Sequence, residues 1–200
     1  FMVSEDLKIG LLTDHVPLKN VSTLITEKLI MEKARLMNES LIKDFRLQRP
    51  KIAVLGINPH CGDKGVIGTE DDDIVRPALK KLYFDENILV FGPFAADSFF
   101  GSQSYRNYDA VLAPYHDQGL IAFKTIAFDN GVNYTAGLSK VRTSPDHGTA
   151  YEIAGKNIAD PQSFRQAIYT ALDVFRNREE YAELTKNPLK IRTLELEKDK

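Results

Sequence analysis

Short apolar runs separated by helical patterns constrain the fold of this chain most strongly. The clearest run is Lys51–Ile57, and similar runs cover about residues 8–13 and 109–112. Each run is followed by a polar turn that contains proline, as expected for a buried strand that ends at a loop. Because helical segments separate the strands, the pattern predicts an α/β fold with a mainly parallel sheet and helices on both faces.

Two longer segments show helical periodicity. Asn20 is predicted to be the N-cap of a long helix that ends near Arg49-Pro50, since the residue before a proline disfavours the helical region. Near the end of the chain, Asp160 is predicted to be an N-cap, with Pro161 at the first helical position. The second helix should direct one apolar stripe to the core, formed by Phe164, Ala167, Ile168, Ala171, Leu172 and Phe175. The tail over about residues 177–200 is highly charged, and its end is expected to be a solvated, partly frayed surface.

The composition is that of an ordinary globular protein. With 43% hydrophobic residues, 27% charged residues and a formal net charge of -2, nothing favours binding to nucleic acid or to an anionic membrane surface. No apolar run approaches the length of a membrane span. Cys61 is the single cysteine, which excludes an internal disulfide and predicts a reducing compartment, the cytoplasm.

One contiguous α/β unit is expected over residues 1–200. The first residues run almost at once into the first predicted strand, which is unusual for a natural amino terminus. The chain is therefore expected to begin inside a longer protein.

Three of the four histidines lie three residues after an apolar residue of a predicted strand, namely His15, His60 and His116. Parallel strands bring such positions to one edge of a sheet. Three neutral imidazoles at that edge predict a divalent-metal site with open coordination positions, which can hold a substrate hydroxyl and lower its pKa. From the residues alone, a role in loops or helix caps explains the three histidines equally well.

The neighbours of these histidines allow two interpretations each. Asp14 and Asp117 are either supporting partners of the adjacent histidines or turn residues. Cys61 is either a fourth, soft ligand or a small buried thiol, and the thiol is favoured.

The first three basic residues after His116 are Lys124, Lys140 and Arg142. They would suit an anionic substrate group or simply belong to the surface. Lys124 stands out because it lies in an apolar segment, where an unpaired ammonium is costly. The loop over residues 62–73 matches neither common phosphate-binding glycine pattern, so it is interpreted as a flexible, acidic loop.

Several longer motifs carry a resemblance to a known family. They are Thr13–Leu18 (TDHVPL), Asn58–His60 (NPH), Gly92–Asp97 (GPFAAD), Tyr115–Leu120 (YHDQGL) and Val141–Ala150 (VRTSPDHGTA). Through them the chain resembles the 4-hydroxythreonine-4-phosphate dehydrogenases over essentially all 200 residues. The fold implied is that of the related isocitrate and isopropylmalate dehydrogenases, without its N-terminal portion.

The resemblance implies the roles of particular residues. His15, His60 and His116 would hold a divalent metal such as zinc, magnesium or cobalt. Substrate contacts would come from Lys124, Asn133 and Arg142, and the adenosine of NAD (or NADP) would be bound by His147, Gly148, Thr149 and Ala150. The same four residues would also serve a tight turn into a helix.

The resemblance also implies an activity and an assembly. The reaction would be NAD-dependent oxidation, with decarboxylation, of 4-phosphooxy-L-threonine in pyridoxal phosphate biosynthesis, and no proton acceptor can be assigned. Family members are homodimers with the active site at the subunit boundary. The chain would be a fragment of a two-domain enzyme, with a metal and substrate region over about 1–144 and a cofactor-loop and C-terminal helix region over about 145–200. Alone, it is expected to keep the metal site and to show little dehydrogenase activity.

Other functions fit the same motifs. A paralogous dehydrogenase would act on a phosphorylated threonate or erythronate. A metal-dependent phosphoester hydrolase would use three histidines to activate water. A non-catalytic metal-binding domain is a third alternative for a truncated chain.

Overall fold

A single seven-stranded sheet forms the centre of the molecule in a computed structural model, which describes residues 1–146 and 151–189. Its strands are β1 (Met2–Val3), β2 (Lys8–Leu11), β3 (Ile52–Leu55), β4 (Val90–Phe94), β5 (Ala110–Ala113), β6 (Val132–Tyr134) and β7 (Thr143–Pro145). Their order across the sheet is β4-β3-β5-β2-β1-β6-β7.

The sheet has a parallel half and an antiparallel half. Strands β4, β3, β5 and β2 run parallel, with Ile52 opposite Ala110 and Ile9 opposite Val111. Strand β1 is antiparallel to both β2 and β6, and β6 is antiparallel to β7. The prediction of a mainly parallel α/β fold is confirmed.

Six α-helices surround the sheet within the described residues. They are α1 (Val21–Leu24), α2 (Glu27–Lys43), α3 (Arg76–Phe84), α4 (Ala96–Gly101), α5 (His116–Ala127) and α6 (Gln162–Thr185). Helices α2 and α3 pack on one face, where Met37 and Leu82 share a core with Ile52. Helix α5 packs on the other face, where Phe123 joins the core formed by Leu55 and its neighbours. None of the described helices is long and apolar enough to cross a bilayer.

The long helix predicted from Asn20 is interrupted. The side chain of Asn20 makes no capping hydrogen bond, and the chain becomes extended at the buried Ile25 (φ -78°, ψ 112°). A new helix then begins after Thr26, whose Oγ1 accepts a hydrogen bond from the N–H of Leu29 at 3.2 Å. Asn20 therefore stands at the N-cap position of the short α1 only, and the prediction of one long helix from Asn20 was wrong, because burial of Ile25 outweighed the continuous helical periodicity.

Helix α6 differs from its prediction in three ways. It begins at Gln162 with Pro161 at the N-cap position, one residue later than predicted, although the carboxylate of Asp160 still accepts from the N–H of Gln162 at 2.8 Å. The helix also continues to Thr185, so the chain is helical well beyond residue 177. Of the apolar stripe predicted to face the core, Ala167 is buried, whereas four large members are about half exposed: Phe164, Ile168, Leu172 and Phe175.

Polar contacts attach α6 to the rest of the molecule. Arg178 donates to the carboxylate of Asp44 at 2.6 Å and to the hydroxyl of Tyr134 at 3.0 Å. The hydroxyl of Tyr134 in turn donates to Asp44. Asn177 donates to the backbone carbonyl of Asp44 at 2.7 Å. This network joins α6 to the end of α2 and to β6.

Candidate metal and anion site

The ends of neighbouring strands bring two of the predicted histidines together. Beyond β2 and β5, the N–H of Leu12 donates to the carbonyl of Ala113 at 2.8 Å, and the buried Thr13 hydroxyl donates to the carbonyl of Pro114 at 2.8 Å. These bonds hold the two connecting segments side by side. As a result, the rings of His15 and His116 lie 5.6 Å apart, centroid to centroid.

Asp14 completes a group of possible metal ligands. One ligand atom each from Asp14, His15 and His116 lie within 4.8 Å of one another. In addition, Nδ1 of His116 lies 2.7 Å from a carboxylate oxygen of Asp117, and such a bond fixes which ring nitrogen remains for a ligand. Two imidazole nitrogens and a carboxylate oxygen are a suitable donor set for zinc or a similar divalent ion. Asp14, expected only as a supporting or turn residue, thus lies in the group itself.

His60 does not belong to this group within the described residues. It follows β3, which borders β5 on the side away from β2. The segment Pro59–Gly65 is a left-handed turn in which His60, Cys61, Asp63 and Lys64 all have φ between 43° and 54°. His60 is exposed there, so the predicted convergence of three histidines within one chain is not present in this arrangement.

A cavity of about 600 Å³ connects the histidines with the predicted substrate residues. Its wall includes His15, His116, Lys124, Asn133 and Arg142. Helix α5 places Lys124 two turns after His116, while Asn133 lies on β6 and Arg142 immediately precedes β7. Five of the six residues predicted for metal and substrate therefore line one space. Lys140 is exposed and lies outside this wall.

Two cations of the cavity, Lys124 and Arg142, have polar partners. The ammonium of Lys124 lies 3.4 Å from a carboxylate oxygen of Asp146, and Nη1 of Arg142 donates to the hydroxyl of Thr135 at 2.8 Å. The apolar segment around Lys124 is an amphipathic helix that buries Phe123 and leaves Lys124 partly exposed, so the ammonium is neither buried nor unpaired. Two of the cations at this wall, Lys124 and Arg142, together with the carboxylate of Asp146, suit an anion with an adjacent polar or cationic group.

Sequence reasoning missed two charged residues of this wall, Asp146 and Lys33. Asp146 lies inside the quoted motif 141–150, so its position in a motif was the available signal. Lys33 belongs to α2 and looks like any exposed helical lysine, so no sequence signal distinguished it.

Cys61 is half-buried beside the end of β3, outside the ligand group. Burial and the nearby Asp71 raise the pKa of its thiol, which disfavours the thiolate that a metal requires. This agrees with the interpretation of Cys61 as a small buried thiol. The predicted cofactor residues His147, Gly148, Thr149 and Ala150 lie outside the described residues.

The molecule combines a mainly parallel sheet with a histidine–carboxylate group at the carboxyl ends of its strands and a cavity that contains several cations. These features define an α/β protein with a ligand-binding site at the carboxyl ends of its parallel strands. A sequence model of the family described as pyridoxal phosphate biosynthetic protein PdxA matches residues 1–171. The chain therefore belongs to this family.

Individual relatives agree with that assignment. The 4-hydroxythreonine-4-phosphate dehydrogenase of Bacteroides thetaiotaomicron is 50% identical over 189 residues, which cover 94% of this chain and 52% of that protein. A crystal structure of 4-hydroxythreonine-4-phosphate dehydrogenase from Klebsiella pneumoniae matches with a TM-score of 0.75 and 35% identity, over 86% of this chain and 53% of that one. A terephthalate 1,2-cis-dihydrodiol dehydrogenase from Burkholderia xenovorans matches with a TM-score of 0.68 and 29% identity, over 86% and 54%. The chain thus spans about half the length of these relatives, which are dehydrogenases.

Proposed function

We propose that this chain forms the metal- and substrate-binding part of a dehydrogenase that oxidises and decarboxylates 4-phosphooxy-L-threonine with NAD or NADP. The observation that carries the proposal is the single cavity lined by the histidine group and by Lys124, Asn133 and Arg142. A phosphorylated amino alcohol has a chelating end and an anionic end, and this cavity offers a partner for each. We further propose that residues 1–200 are one unit of a two-domain, cytoplasmic enzyme.

The metal end of the cavity would be formed by His15, His116 and Asp14. A divalent ion bound there supplies a Lewis acid that lowers the pKa of a coordinated alcohol. Asp117 fixes the ring of His116 through its bond to Nδ1, so that Nε2 is the nitrogen offered to the site.

The anion end would be formed by Lys124 and Arg142, assisted by Asn133. A guanidinium and an ammonium on separate elements hold a phosphate or carboxylate from two directions, which limits the rotation of the substrate. Thr135 orients Arg142 and Asp146 orients Lys124. Residues 147–150 are proposed to bind the adenosine of the nucleotide, because they directly follow Asp146 at this wall.

We propose that the enzyme is a homodimer with the site at the subunit boundary. Support comes from three large apolar side chains, each close in sequence to one of the three histidines. They are strongly exposed, with exposed fractions of 71% for Leu18, 82% for Val66 and 67% for Ile121. Such exposure is typical of a surface that a partner covers. The position of His60 outside the group of its own chain fits a site that draws residues from both subunits.

Mixed dimers of the full-length enzyme test this arrangement. If His15 and His60 of one site come from different subunits, a dimer of one His15→Ala chain and one His60→Ala chain contains one fully wild-type site. It should then bind one zinc ion with wild-type affinity, while both homodimeric variants bind weakly. Weak binding by the mixed dimer as well would place both histidines of a site in the same chain.

Turnover by the full-length enzyme tests the reaction itself. Nucleotide reduction should be fastest with 4-phosphooxy-L-threonine, and Arg142→Met should raise KM for it by about tenfold or more, because one charge-assisted contact contributes roughly 1.5–3 kcal/mol. Faster turnover of a phosphorylated threonate or erythronate would favour the paralogous activity. The dihydrodiol dehydrogenase among the structural relatives makes this comparison necessary, since a similar fold serves another substrate there. Release of phosphate without nucleotide reduction would contradict the proposal and favour a hydrolase.

A further inference from the structure

The end of strand β3, which leads to His60, is held from two sides. On one side, the side-chain amide of Gln118 donates to the carbonyl of Gly56 at 2.8 Å. On the other side, the carboxylate of Asp71 accepts from the N–H groups of Ile57 and Asn58 at 2.8 and 2.9 Å. The segment 56–58 is thereby fixed immediately before the turn that carries His60.

Asp71 is an unusual carboxylate in this molecule because it is completely buried. The other buried carboxylate among the described residues, Asp44, pairs with the guanidinium of Arg178. The hydrogen bonds to Asp71 come instead from two backbone N–H groups of the strand end. Burying a carboxyl group is costly, and backbone donors compensate only while both remain in place, so the conformation of the strand end and the burial of Asp71 depend on each other.

The turn that follows is strained. Four non-glycine residues in it adopt left-handed φ values, which L-residues disfavour because the Cβ atom then lies too close to the following carbonyl oxygen. At Gly62 a Cβ atom would lie 2.2 Å from the carbonyl oxygen of Gly68, so only glycine fits there. A strained turn of this kind persists where surrounding contacts hold it, and it is often found at a functional site.

Gln118 links this turn to the other histidine segment. Gln118 lies two residues after His116, in the first turn of α5. Its side-chain amide donates to the carbonyl of Gly56, which precedes His60 by four residues. One side chain therefore spans the two segments of the chain that carry His60 and His116.

We propose that Gln118 and Asp71 are positioning residues that fix where His60 stands on its own chain, and thereby where that chain offers His60 to a metal shared between the two subunits. The inference rests on the proposed function, because it gives both histidines a metal to bind. Neither residue is required to touch the metal or the substrate. Asp71 holds the strained turn in its left-handed form, and Gln118 fixes the distance between that turn and α5.

Cobalt binding to the full-length enzyme tests this proposal, with Co²⁺ alone as the probe. Gln118→Leu removes the amide at similar volume and should weaken Co²⁺ binding by about tenfold or more, the usual effect of losing a residue that orients a ligand. It should also shift the visible absorption of the bound cobalt, which reports ligand geometry. Thr125→Ala, on the exposed side of the same helix, is the matched control and should change neither quantity.

A double-mutant cycle separates positioning from general destabilisation. If Gln118 acts through His60, then Gln118→Leu added to His60→Ala should cause no further loss of cobalt affinity. Asp71→Asn should resemble Gln118→Leu in affinity and spectrum, with the exposed Asp72→Asn as its control. If Asp71→Asn does not fold, Gln118→Leu and its cycle decide the question alone.

Two failures can be told apart. Absence of cobalt binding by the wild-type full-length enzyme would contradict the proposed function. Wild-type binding together with unchanged affinity and spectrum in Gln118→Leu, or additive losses in the cycle, would overturn the positioning role and leave the proposed function intact.

Discussion

The parallel and antiparallel halves of the sheet are stabilised in different ways. In the parallel half, strand β3 is fully buried and helices cover both faces. In the antiparallel half, α6 packs on β6 and β7 through a small core that includes Ala167 and Val174, while its larger apolar side chains remain about half exposed. Polar contacts to Asp44 then anchor this helix. The first half thus depends mainly on apolar burial, and the second depends strongly on a few charged and hydrogen-bonded groups.

Loss of Arg178 should have the largest effect on stability. Arg178→Met leaves the carboxylate of Asp44 buried without its cation, and breaking a buried pair in this way costs about 3–5 kcal/mol. The free energy of unfolding, measured by urea denaturation, should fall accordingly. Arg46→Met is the control, because its ion pair with Glu180 is half exposed and should contribute less than about 1 kcal/mol. Equal effects of the two substitutions would contradict the anchoring role of the buried network.

Truncation of a leucine to alanine should lower the free energy of unfolding more in the parallel half of the sheet than in α6, because more apolar surface is buried in the parallel half. Leu55→Ala in β3, where the side chain is 0% exposed, should lower the free energy of unfolding by about 2–5 kcal/mol. The same truncation in α6, Leu172→Ala, removes a side chain that is 46% exposed. It should change the free energy of unfolding by less than about 1 kcal/mol. A large loss at Leu172 in the isolated chain would mean that the outer face of α6 is covered in solution.

Alkaline pH should weaken the antiparallel half through Tyr134. Burial and the adjacent Asp44 raise the pKa of its phenol from 10 to about 12. Between these values the unfolded chain ionises Tyr134 and the folded chain does not, so unfolding releases a proton and stability falls as pH rises. The slope attributable to this group is roughly 1.4 kcal/mol per pH unit. Below pH 10 the contribution is fully present. Tyr134→Phe should remove this part of the slope, measured by urea denaturation between pH 9 and 11.5.

The accuracy of the sequence predictions follows the same division. Strands β2, β3 and β5 are short apolar runs closed by proline-containing turns, so local sequence was enough to place them and to bring His15 and His116 to one edge. The exposed face of α6 could not be predicted, because helical periodicity reveals an apolar stripe and not what covers it. The left-handed turn at His60 was equally hidden, since four of its six residues with positive φ are not glycine. The contacts to the segment just before it, from Asp71 and Gln118, are distant in sequence.

The smallest expected effect on stability concerns the start of α2, which the helical periodicity placed too early in the chain. This prediction tests the local structure around Thr26 and not the difference between the two halves of the sheet. Thr26→Ala removes the hydroxyl that caps α2 and should lower the free energy of unfolding by about 1 kcal/mol, as is typical for an N-cap threonine. Asn20→Ala is the matched control, because Asn20 makes no capping bond and its loss should be nearly neutral. The two variants therefore rank the predicted cap against the observed one. If Asn20→Ala proved the more destabilising, one continuous helix would run from residue 21 through α2 in solution, and the break at Ile25 would be wrong.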